Sequence, residues 1–163
     1  MLDMAHPIAG RDAGRPAPSA AAPAPRLLIA VDETPGARRT LVSGLVHAAA
    51  HGAEVTVVQV VPPRRWRVGR FGPVRAVPMR FRDPLESAVL RDARRLAFTH
   101  GIVPRLDLIA ADDVDAVILG LARRSQADTI VVGASRPEGL AAPLGVCQGV
   151  LRRASVPVVV VPA

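Results

Sequence analysis

Short runs of branched apolar residues recur along this chain, and they are apolar nearly throughout rather than at every second position. Leu27 to Val31 reads LLIAV, Glu54 to Val61 reads EVTVVQVV, Thr129 to Val132 reads TIVV and Pro157 to Val161 reads PVVVV. Runs of this length suit strands better than helices, and the lack of strict alternation calls for cover on both faces, as in a parallel sheet. Val103 to Ala110 is read as a further strand, third in order.

The intervening stretches carry helix signals. Thr34-Pro35 offers an N-cap and a first-turn proline to a helix closing at His51-Gly52, where a cation stands beside a C-capping glycine. Asp83-Pro84-x-Glu86 has the spacing of a capping box, opening a helix through Leu85, Val89 and Leu96 to His100-Gly101. Asp113 caps a helix through about Gln126, and Val146 to Ala154 is the last. The order β-α-β-α-β-α-β-α-β predicts an α/β fold: a five-stranded parallel sheet with helices on both faces. Ligands of such sheets bind beyond the carboxyl ends of the strands, where the winding reverses. Asp32, Val60 and Gly133 all fall at predicted carboxyl ends.

A chain of 163 residues is enough for one domain with a real core. Residues 1–25 are rich in Ala and Pro without apolar periodicity, and are expected to form a disordered tail, with the domain at 26–163. The net charge is +7, and every one of the 21 cationic residues is Arg. That excludes a Walker lysine, a Schiff-base lysine and any lysine acid/base chemistry. Seven arginines lie between Arg64 and Arg82, in a loop at 62–82 that also holds Trp66, Phe71 and Phe81. Such a mixture can grip phosphates and stack on bases. A solvated basic insertion is the reading adopted, with no nucleic acid expected; an anion or nucleic-acid binder using Arg64–Arg82 is the second alternative.

No stretch approaches the roughly 20 apolar residues that span a bilayer, and no signal-peptide pattern opens the chain, so a soluble cytoplasmic protein without membrane contact is expected. The single Cys147 is read as packing. His47 and His51 share a helix face at a spacing of four, but no third ligand stands near in sequence, so no metal is expected. Ser135, in Gly-Ala-Ser-Arg-Pro, lacks the flanking glycines of a nucleophile elbow. No catalytic residue is assigned, and turnover is not expected.

Ala30-Val31-Asp32, Gln59-Val60, Ala127-Asp128-Thr129-Ile130-Val131-Val132-Gly133 and Pro157 to Val161 follow one another in an order and spacing that resemble the universal stress protein family, from Arg26 to Val161. The resemblance implies a Rossmann-like, nucleotide-binding architecture. It implies ATP or AMP as ligand, with Asp32 and Val60 on the adenine and a Gly-x2-Gly-x9-Gly-Ser/Thr loop around ribose and phosphates. It also implies a homodimer through the last strand, Pro157–Val161, whose backbone groups would be left unpaired at a sheet edge.

The phosphate loop departs from that pattern. Gly133 matches the first glycine, Arg136 replaces the second, only eight residues separate it from Gly145, and Val146 replaces the hydroxyl residue. A lost hydroxyl-to-phosphate bond costs about 1.5–3 kcal/mol. An Arg136 guanidinium on phosphate would offset part of this. Two readings stay open. The first is a stress-response regulatory homodimer without nucleotide or turnover, meeting an unidentified protein partner. The alternative is an ATP- or AMP-binding sensor that uses Asp32, Val60, Gly133, Arg136 and Gly145.

Overall fold

Residues 22–61, 80–134 and 145–162 are described by the computed structural model, with residues 80 and 81 described by their backbone alone. Residues 1–21 of the expected tail and most of the arginine-rich loop lie outside the described residues, as do Ser135 and Arg136. The strands are β1 (Arg26–Val31), β2 (Glu54–Val61), β3 (Arg80–Arg82), β4 (Arg105–Ala110), β5 (Thr129–Gly133) and β6 (Val158–Val161). The helices are α1 (Ala37–His51), α2 (Ala88–Thr99), α3 (Val114–Ser125) and α4 (Val146–Arg153).

The five expected strands form one parallel sheet, in the order β4-β2-β1-β5-β6. A sixth, β3, adds antiparallel to β4 at the edge, with Phe81 opposite Ile109. The sequence reading placed these residues in a loop. Three residues, two of them arginine, are too few to show an alternation, and only the pairing with β4 defines the strand.

The apolar runs are continuous because the sheet is covered twice. Ile29 and Val57 face α1 and α2 in a cluster with Leu41, Leu45 and Leu90. Their neighbours Leu28 and Val58 face the other way, onto Ile118, Leu121 and Ile130 beside α3 and α4. Successive strand residues therefore bury on opposite faces, each in an apolar layer.

Two helix starts differ from expectation. α1 begins at Ala37, with Gly36 as N-cap and no side-chain capping bond. Thr34 does not cap it, because Asp32 Oδ1 accepts from both Thr34 N (3.0 Å) and Thr34 Oγ1 (2.6 Å). Asp83 caps only a 3₁₀ turn, Pro84–Glu86, by accepting from Leu85 N at 2.9 Å. The chain is then re-capped by Ser87, whose Oγ accepts from Leu90 N at 3.1 Å to open α2. Other ends fall as expected: Gly52 closes α1 at φ 61°, and Asp113 caps α3 by accepting from Ala116 N at 2.9 Å.

Candidate functional site

The chain winds from β1 outward through β2 to β4, then returns to β5 and β6 on the other side of β1. The winding therefore reverses between β1 and β5, and the two strands part there at their carboxyl ends. A cleft of about 420 Å³ opens at this point. It falls in the roughly 300–1,000 Å³ range of small-molecule sites.

Three of the residues singled out in the sequence line this cleft together: Asp32, Val60 and Gly133. Its floor is apolar, made by Val58 and Val60 of β2, Ile118 of α3 and Val132 of β5. Asp32 is already engaged, since its carboxylate ties down Thr34 in the turn that leads to α1. The turn-forming role and a place in the cleft wall are thus both real for this residue.

Gly133 has a packing reason of its own. A Cβ built there would stand 2.7 Å from Thr40 Oγ1 in the first turn of α1. The bare Cα lets α1 close over the end of β5. Gly145 is the N-cap of α4, and its carbonyl accepts from Gln148 N at 2.8 Å. Gly145 is not in the cleft wall; the next residue, Val146, is. Valine at that position leaves an apolar group where the resemblance led one to expect a hydroxyl.

Several site residues escaped the sequence reading. Arg39 and Thr40 reach the cleft from α1, and Pro162 closes it beyond β6. Arg39 was hidden by the sheer abundance of arginine. Gln59, noted only as the residue before Val60, is 1% exposed and bridges two elements. Its Nε2 donates to Glu33 Oε1 at 3.3 Å, beside Asp32, and its Oε1 accepts from Ser87 Oγ, the cap of α2. A strand amide flanked by a hydroxyl and a carboxylate far away in sequence has no local signal.

α4 packs on α3 at Asp115, in the first turn of α3, which lies against Gly149. Burial, and then the charge of Asp113, hold the Asp115 carboxyl above its ordinary value of 3.8, while Arg153 pulls it back. Burial likewise pushes up the half-buried Cys147 thiol on α4, which fits packing rather than reactivity. The His47 and His51 rings lie 4.4 Å apart, and His51 Nδ1 sits 2.8 Å from the His47 carbonyl oxygen. Among the described residues no group of three or more His, Cys, Asp or Glu side chains converges as a metal site. No helix among them is long and apolar enough to cross a membrane.

A doubly covered parallel sheet with a cleft at its switch point defines a Rossmann-like α/β domain. More particularly, the chain belongs to the universal stress protein family, whose model matches residues 24–162. Solved structures carry the same fold. A universal stress protein in complex with cAMP is 22% identical, with a TM-score of 0.65 over 85% of this chain and 96% of the other. One from Archaeoglobus fulgidus in complex with dAMP is 21% identical, with a TM-score of 0.58 over 83% and 95%. One from Lactobacillus plantarum is 21% identical, with a TM-score of 0.59 over 86% and 99%. No curated protein matches the chain.

Proposed function

We propose that this protein is a regulatory stress-response domain whose cleft takes an adenine nucleotide without turning it over. The observation that carries this reading is the meeting of Asp32, Val60 and Gly133 around one apolar-floored cleft at the β1/β5 switch point. A flat base suits the Val58, Val60 and Ile118 floor, where it leaves water for apolar contact. Asp32 is the acceptor on that wall. The complexes of related proteins with cAMP and dAMP support an adenosine nucleotide as the ligand class. The departures from the expected phosphate-loop pattern, Arg136 and Val146, lie apart in sequence from Asp32 and Val60.

The test is denaturing extraction of the purified protein with mass spectrometry for nucleotide, followed by calorimetric titration of ATP and AMP into stripped protein. Binding at one nucleotide per chain is expected, abolished by Val60→Trp, which fills the cleft. No carry-over and no heat at millimolar nucleotide would sink the proposal.

The functional unit is proposed to be a homodimer through β6. This strand is the sheet edge opposite β3, and Val159 and Val160 on it are exposed. An exposed apolar edge is a template for another strand, and a second copy satisfies it.

A further inference from the structure

The cleft does not end at β6. A second depression, a groove of about 480 Å³, is lined by Arg38, Arg39, Val42, Ser43, Val161 and Pro162. Arg39, Val161 and Pro162 belong to both walls, so cleft and groove are continuous around the carboxyl end of β6. The combined depression is polarised across the sheet. At the β2 end lie Val58 and Val60, just past the end of β1 stands Asp32, and on α1, beside Val161 and Pro162, stands Arg39, the sole cation among the described residues that line the cleft. The apolar end suits a base, and the cationic end suits phosphate.

Arg38 and Arg39 occupy the first turn of α1, which holds no acidic residue. Cations in a first turn oppose the helix dipole. Among the described residues no carboxylate forms an ion pair with either one. Two guanidiniums without a carboxylate partner among the described residues, a serine hydroxyl and a groove leading from an apolar slot make a coherent acceptor for several phosphate oxygens.

We propose that the groove of Arg38, Arg39 and Ser43 holds the distal phosphates of a nucleoside di- or triphosphate seated in the cleft. This rests on the nucleotide reading above and deepens it. Arg39 at the junction bonds the phosphate that leaves the cleft, while Arg38 and Ser43 take the terminal one. The site thereby favours ATP over AMP and adenosine by a route separate from the shortened loop.

The experiment is a titration of adenosine, AMP, ADP, ATP and inorganic tripolyphosphate into the full chain, its Arg39→Ala and Arg39→Lys variants, and Arg94→Ala. The last removes an equal charge from α2 and corrects for general attraction to a basic protein. Affinity is expected to rise from adenosine to ATP. Arg39→Ala should weaken ATP and tripolyphosphate about ten- to hundred-fold, the range of one lost charged hydrogen bond, with adenosine unchanged. Arg39→Lys should recover part of the loss. Equal loss in Arg94→Ala, or ATP bound no better than adenosine, would overturn the proposal. Should no nucleoside bind, tripolyphosphate decides: Arg39-dependent binding keeps the groove and discards the base site, whereas Arg39-independent binding, or none, discards the groove.

Discussion

Asp115 and Gly149 meet across two helices so closely that a Cβ built on Gly149 would fall 1.5 Å from Asp115 Oδ2. The Asp115 carboxylate rests against the bare Cα of Gly149 on α4, so any side chain at position 149 would have to displace it. The same helix begins with Val146 in the cleft wall, so this contact sets one side of the site. Gly149→Ala is expected to destabilise the fold by about 1–3 kcal/mol through overpacking, despite alanine's higher helix propensity. A lowered urea midpoint, with ATP binding weakened as Val146 shifts, is the expected result. An unchanged or raised midpoint would show that α4 is not held in this way.

Asp115 also makes stability depend on pH. Its carboxyl is held above 3.8 in the folded chain, so the folded state keeps a proton that the unfolded state gives up. The stabilisation from this group is complete below 3.8 and is lost as pH rises through the raised value. Asp115→Asn cannot ionise, so it should lose less stability than the parent over that rise. Urea unfolding at stepped pH from below 3.8 toward neutrality checks this. Parallel curves for the two proteins would contradict it.

Gln59 joins the turn bearing Asp32 to the cap of α2, with its carbonyl on Ser87 and its amide on Glu33. Gln59→Leu keeps the volume roughly but leaves the buried Ser87 hydroxyl without its acceptor. The expected cost is about 1–3 kcal/mol, as for a buried polar group left unpaired. Equilibrium denaturation measures it. A loss within a few tenths of a kcal/mol would mean that the bridge is incidental.

The dimer proposal makes a direct demand on β6. A lysine on an edge strand discourages strand addition, so Val159→Lys is expected to sediment as a monomer while the parent sediments as a dimer. Val159 is 41% exposed in the single chain, which leaves room for the charge without unfolding it. A monomeric parent, or a dimeric Val159→Lys, would contradict pairing through β6.

Most of the scaffold was legible in the sequence because doubly covered strands write their burial locally. LLIAV and TIVV announce both faces at once, and Asp113 and Gly52 mark helix ends through their own backbone chemistry. Asp32, Val60 and Gly133 were legible as strand ends that the topology then brought together. What escaped was whatever depends on distant partners. β3 exists through β4, the start of α1 moved because Asp32 captured Thr34, and Ser87 rather than Asp83 opens α2. Gln59, Arg39 and Asp115 carried no local signal of their neighbours at all. The expected phosphate-loop residue Arg136 lies outside the described residues.

The central claim is that the β1/β5 cleft is the nucleotide site, and backbone amide chemical-shift mapping on adding adenosine or ATP tests it most directly. The account predicts saturable shifts concentrated at Asp32–Thr40, Val60, Gly133–Ala134 and Val146, which surround the cleft, with α2 unmoved. Saturable shifts centred elsewhere, or none at millimolar ligand, would contradict it.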